Sequence, residues 1–308
     1  MSQLILHHFA SSPFAEKVRM MLGFKGLAWT SVQIPNIMPK PDLVALTGGY
    51  RRTPVMQIGA DIYCDTALIA DLLEQLEPEP TLYPRSVEAA SRTLAQWADA
   101  TLFWTAIPYT MQPEGLAVMF KGVTPEQMKA FAEDRNALRN NAPRMRIPEA
   151  RLNFEIYLGR LEAMLGEQAF FFGDEPSIAD FSIAHCLWFV TRGGPVAEIL
   201  KPHQKLVTWF DRMRTFEHAP AQDIPSGAAL DIAQASTPLA SKGLEVDVHG
   251  FGLGEKVQVA ATDYGTDPIF GTLYSATRDA FAIRREDPRA GVVVVHFPRL
   301  GFEVRVAK

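Results

Sequence analysis

The chain has 308 residues, enough for two or three compact units with real apolar cores. Its formal net charge is -5, from 30 basic and 35 acidic residues with no basic stripe, which argues against nucleic acid as a partner. Two cysteines, Cys64 and Cys186, cannot build a disulfide framework and have no Cys or His at zinc spacing, so a reducing, cytoplasmic setting and no metal are expected.

The opening residues lack the apolar core and charged n-region of a signal peptide, and no window approaches eighteen consecutive apolar residues, so no membrane is expected. "LILHHF" reads as a strand, and "PFAEKVRMMLGF" follows with Phe14, Val18, Met21 and Leu22 at helical spacing. "AWTSVQI" is a second strand, after which a Pro-rich loop containing "PDLVALT" leads to the turn "GGYRR". "TPVMQIGADIYCD" is predicted as a hairpin about Gly59 and Ala60, and "TALIADLLEQLE" as a helix. Of the neighbouring histidines His7 and His8, strand alternation places one toward the core and one toward solvent. Pro78, Pro80 and Pro84 end this first unit, expected over 1–80, in a stiff connector.

Residues 86–218 are expected to form an all-helical bundle from five amphipathic stretches, among them "TPEQMKAFAEDRNALR" and "SIADFSIAHCLWFVTR". Residues 219–239 read as a linker with a short helix. Residues 240–308 read as a small β-rich domain whose five alternating runs close into a partial barrel, with the turn-rich "DYGTDP" and "HFPRLGF" either a ligand edge or, more simply, connecting loops. The fold class is therefore an α/β unit, an all-α unit and a small mainly-β unit.

Three short stretches carry chemistry. In "RRTPV", Pro54 opens an apolar strand without an N–H to donate; a cis Thr53–Pro54 bond would leave the Val55 backbone to pair with an extended peptide, whereas a trans proline would simply start the strand. In "CDTALI", Asp65 and Thr66 stand where a strand hands over to a helix. Either caps that helix, or its N–H groups take a carboxylate while Asp65 holds an ammonium, the two complements of an amino-acid moiety. In "SSPF", a serine before Pro13 is either an N-cap or a hydroxyl aimed at a bound thiol, whose pKa it would lower together with the helix dipole.

The ordered set "SSPFAEKVR", "RRTPV", "DTALI" and "GDEPSIADF" resembles the glutathione S-transferase superfamily, in its serine-type, bacterial-like form, over residues 1 to about 218. The resemblance implies a thioredoxin-like first domain that binds glutathione as co-substrate, a helical second domain whose Ser177 and Asp180 form a capping box, and a homodimer. It implies Ser12 as the catalytic, thiol-activating hydroxyl, with Ser11 and Phe14 flanking it. Thr53, Pro54 and Val55 would meet the cysteinyl backbone, Arg52 would lie near the glycyl carboxylate, and Asp65 with Thr66 would hold the γ-glutamyl group. A serine cannot form a mixed disulfide, so conjugation or peroxide reduction on a hydrophobic electrophile is expected, with glutathione-dependent isomerisation or a non-catalytic scaffold as alternatives. Phe103, Trp104, Tyr109 and Met111 are the candidate co-substrate pocket, against ordinary core packing for each. The β-rich tail departs from the family's two-domain pattern.

Overall fold

The computed structural model describes all residues except 1, 2, 141, 143, 217, 219, 220, 247–249 and 308. The first unit runs β1 (Ile5–His8), α1 (Pro13–Phe24), β2 (Trp29–Gln33), α2 (Pro41–Thr47), β3 (Val55–Ile58), β4 (Asp61–Cys64) and α3 (Thr66–Leu76). β1 pairs in parallel with β2, while β3 lies antiparallel between β1 and β4. Alternation sets the layers. Leu4, Leu6 and Met56 pack with α1, α3 and the helical unit, while Ile5, Val32, Val55 and Ile62 face α2 and the C-terminal strands. Both faces are thus covered, and His7 and His8 are both buried rather than one of them facing solvent.

The helical unit comprises α4 (Glu88–Trp97), a π-helical turn (Ala98–Leu102), α5 (Phe103–Thr110), α6 (Pro113–Met119), α7 (Pro125–Arg139), α8 (Ile147–Leu165), α9 (Ile178–Thr191) and α10 (Gln204–Met213). Ser177 and Asp180 form the expected capping box at the start of α9, the most deeply buried helix.

The C-terminal residues form the expected β-rich region, and its strands join the first sheet. The beginning of the expected linker, residues 219 and 220, lies outside the described residues; the remainder carries β5 (Ala221–Asp223) and α11 (Ser226–Gln234). β5 adds to β2 in parallel, and α11 packs against α2. The strands β6 (Lys256–Ala261), β7 (Ile269–Ala276), β8 (Ala280–Asp287), β9 (Gly291–Pro298) and β10 (Phe302–Val306) form an antiparallel sheet. It does not close on itself, because β9 pairs in parallel with β4. The result is one ten-stranded sheet in the order β10-β6-β7-β8-β9-β4-β3-β1-β2-β5. His296 Nε2 meets Asp61 Oδ1 at 2.8 Å and its ring stacks on Tyr63 at 4.5 Å, pinning that joint.

Candidate functional site

The starts of α1 and α3 meet at a long open groove, with Phe14, Lys17, Asp65 and Thr66 among its lining residues. α1 begins with Ser12, whose Oγ accepts the Ala15 N–H at 3.2 Å while Pro13 fills the first helical position; Phe14 and Lys17 of α1 line the groove, and Ser12 itself is buried outside that lining. The cap uses an oxygen lone pair and leaves the O–H proton to serve another acceptor, so capping and thiol activation do not compete for the same valence. Ser12 is only 3% exposed, whereas Ser11 beside it is exposed. Phe14, half-buried, lines the groove and packs edge-on against Phe103 at 4.5 Å.

Thr53–Pro54 is cis, and both residues line the groove. Val55 does not share that position: it is fully buried and is in register with His7 on one side and Cys64 on the other. A strand with neighbours on both sides has no free ladder to offer a peptide, so Val55 belongs to the sheet while Thr53 and Pro54 line the groove.

At the opposite wall Asp65 caps α3 from a left-handed φ of 79°, accepting the Ala67 N–H at 2.9 Å. Burial pushes its carboxyl above the ordinary range, against the pull of the Ala67 N–H and Arg52. Thr66 opens the helix, and its Oγ1 accepts from Lys17 Nζ at 3.3 Å. Lys17, 1% exposed, also donates to Asp99 Oδ2 at 2.6 Å, and Asp99 Oδ1 accepts from His185 Nε2 at 2.9 Å. This chain joins α3, α1, the π-helical turn and α9. Burial alone would raise the Asp99 carboxyl; the Lys17 ammonium and the His185 hydrogen bond outweigh it and hold the group below its usual range. The wide π turn carries Asp99 toward the groove, where it lies among the lining residues.

Arg52 lies on the same wall, 3.9 Å from Asp65, but its principal partners come from the C-terminal strands. Its Nε donates to the Tyr264 carbonyl at 3.1 Å, its Nη2 pairs with the Asp263 carboxylate, and the Tyr264 ring lies 3.8 Å from its guanidinium. Tyr264 in turn meets Trp104 edge-on at 4.9 Å. The turn-rich "DYGTDP" segment is therefore part of the site rather than a remote connection.

Residues 6–81 match the glutathione S-transferase N-terminal domain, and residues 144–212 match the glutathione S-transferase C-terminal domain. A GST-like protein from Pseudomonas syringae is 44% identical in sequence, the match spanning 100% of both chains with a TM-score of 0.84. The chain belongs to the glutathione S-transferase family. The whole-length match includes the added strands, so the Pseudomonas member shares them. FtsZ-localized protein A of Caulobacter vibrioides is 25% identical over 215 residues, covering 68% of this chain and 86% of that protein. The structure of FzlA from C. crescentus aligns with a TM-score of 0.53 at 24% identity, over 77% of this chain and 94% of that one.

Within this family member the four candidate co-substrate residues separate. Trp104 lines a hollow of about 980 Å³ together with Met145, Asn153, Asp263 and Tyr264, beside the groove. Phe103 is buried among Phe14, His185 and Phe189, as core packing. Tyr109 points to the far end of the bundle, stacking on Phe154 and donating to the Val196 carbonyl at 2.7 Å. Met111 caps the same distant end of α5.

Sequence reasoning missed Lys17 and Asp99, and offered Asp263 and Tyr264 only as part of a possible ligand edge. Lys17 carried a faint signal: it stands three residues after Phe14, on the buried side of its helix, where a lysine is expected only with a partner. Among the described residues no group of three or more His, Cys, Asp or Glu side chains is arranged to hold a metal, and no helix is long and apolar enough to cross a membrane.

Proposed function

We propose that the groove binds a glutathione-type thiol by its γ-glutamyl head and activates the sulfur for attack on a hydrophobic electrophile, by conjugation or peroxide reduction. The observation that carries this reading is the cluster at the start of α3. Thr66, Lys17 and the helix N-terminus offer donors and positive potential to an α-carboxylate, while Asp65 offers the matching anion to an α-ammonium. Ser12, at the start of α1, is the proposed thiol partner: its O–H donates to the sulfur and stabilises the thiolate with the dipole of α1. The hollow beside Trp104 is the proposed place for the electrophile.

The test is Ser12→Ala, read by titrating the thiolate absorbance of bound glutathione. The thiol pKa should rise by about one pH unit, the worth of one charge-assisted hydrogen bond, with turnover falling in proportion and binding changed little. An unchanged titration removes Ser12 from this role.

A second reading, binding without turnover, is favoured by the C-terminal segment lying on Arg52 and by the FtsZ-localized relative, whose name describes a location and no reaction. Thiol binding by calorimetry, with no turnover of halo-aromatics or hydroperoxides, would establish it. A homodimer in the cytoplasm completes the proposal; light scattering reads the first, and the two buried free cysteines suit a reducing compartment.

A further inference from the structure

The groove that carries Asp65 and Thr66 and the hollow that carries Trp104 and Met145 share two lining residues, Asp263 and Tyr264, which stand where the two spaces meet. Tyr264 is fixed at that junction. Its carbonyl accepts from Arg52 Nε at 3.1 Å, the Arg52 guanidinium lies 3.8 Å from its ring centre, and Trp104 meets the ring edge-on at 4.9 Å. The residues that follow are tied to the end of α7, with the Gly265 N–H on the Leu138 carbonyl at 2.6 Å and Asn140 Nδ2 on Thr266 Oγ1 at 3.2 Å. Gly265 holds a left-handed φ of 57°, and a Cβ there would lie 3.0 Å from the Leu138 side chain, so the segment fits closely against the helical unit.

These contacts engage the backbone and the ring of Tyr264 and leave its phenol unspent. Among the described residues the hydroxyl has no hydrogen-bond partner, and, unlike the Ser182 hydroxyl, it is not sealed from solvent. Burial pushes its pKa up to about 12; the Arg52 guanidinium opposes this, and the Asp263, Asp65 and Asp99 carboxylates add to it. Asp65 and Asp99 line the thiol groove, so the phenol stands within electrostatic reach of that groove. At neutral pH it is a donor with nothing to donate to.

We propose that Tyr264 is a catalytic proton donor to the electrophile, and that the site accordingly takes hydrophobic epoxides, in which an oxygen receives the displaced electron pair. The thiolate sulfur bonds to one carbon of the epoxide, the C–O bond at that carbon breaks with its electron pair staying on oxygen, and that oxygen takes the Tyr264 proton. The phenolate left behind faces the Arg52 guanidinium and regains a proton from water. An alkoxide is a stronger base than a phenolate, so the transfer runs downhill. A donor already held in place by Arg52, Trp104 and α7 needs no rearrangement as the charge develops. The inference rests on the thiol reading of the groove, and its donor comes from outside the two matched domains, residues 6–81 and 144–212.

Initial rates of the full chain with glutathione and styrene oxide, and with glutathione and benzyl chloride, test it in the native protein and in Tyr264→Phe. Phenylalanine keeps a ring against Arg52 and Trp104 and removes only the oxygen. Turnover of styrene oxide should fall about a hundredfold, the usual worth of a positioned proton donor, while benzyl chloride, whose chloride leaves without a proton, should change by less than about twofold. Equal losses on both electrophiles overturn the proposal, because the variant would then be disturbing the packing of the ring. An unchanged rate with styrene oxide overturns it as well. Native turnover of benzyl chloride without styrene oxide overturns the substrate class and leaves the thiol reading standing. If the native protein turns over neither, the transferase reading fails together with the inference.

Discussion

His7 and His8 show how a residue's environment converts into a pH dependence. His7 is fully enclosed, bonded at Nε2 to Gln57 at 2.8 Å, and burial drives its pKa down to about 4 from 6.5. Burial, reinforced by the Arg19 guanidinium, takes His8 down to about 4 as well. Both are bases with a lowered folded pKa, so the unfolded chain takes up protons first as the pH falls. Stability is complete above about pH 6.5 and is lost as the pH drops from there toward 4. His7 alone should remove roughly 2 kcal/mol between pH 7 and pH 5. Urea melts at the two pH values check this; an equal or higher midpoint at pH 5 contradicts it. The residue scale is also where sequence reading succeeded unevenly. Asp65 was legible as the cap of α3 because it stands at a strand-to-helix junction, whereas Lys17 was not, because its anion, Asp99, lies in another unit.

Asp180 is the residue on which one whole element depends. Its carboxylate, fully buried, accepts from the Ser177 N–H at 2.8 Å, the Ser177 hydroxyl at 3.0 Å, the Phe171 N–H at 3.0 Å and the Trp209 indole at 2.9 Å. It therefore fixes the start of α9 and ties α10 and the preceding turn to it. Asp180→Ala strands these buried donors together and should destabilise the protein by about 4 kcal/mol, against the ~1 kcal/mol of an ordinary exposed cap. A thermal melt checks it, and a loss no larger than an exposed cap would show that water replaces the carboxylate. The S-x-x-D spacing made this box readable from the sequence. The helix α2 was not, since its seven residues show barely two turns of periodicity, nor was β5, three exposed residues recognisable only by their pairing with β2.

At the scale of the molecule, the C-terminal strands and the thioredoxin-like sheet share one apolar cluster. Ile5, Val55 and Ile62 pack in it with Val257, Ile283 and Phe297, and neither set is covered without the other. The chain should then unfold in a single step in this region. All five tryptophans lie between Trp29 and Trp209, so their emission reports mainly the first two units, with Trp104 also touching Tyr264, whereas far-ultraviolet circular dichroism follows the added strands directly. Coincident urea transitions by the two probes are expected; a separate dichroism transition would make the β unit autonomous. The sequence did hold one sign of this continuity. "GVVVVHF" is apolar at consecutive positions, the pattern of a strand buried on both faces, and β9 lies centrally between β8 and β4. A partner more than two hundred residues away in sequence leaves no local trace, which is why the joint itself was not read.

The pairing of Asp61 with Val294 also sets a timetable for the newly made chain. At roughly 5–20 residues per second, β4 emerges from the ribosome on the order of ten seconds or more before β9 exists. Over that interval its outer edge and the apolar face of the first sheet wait uncovered, an open template for pairing with another chain. Slower synthesis between these segments should lower the yield of folded protein, because the strand that closes the edge is nearly the last to be made.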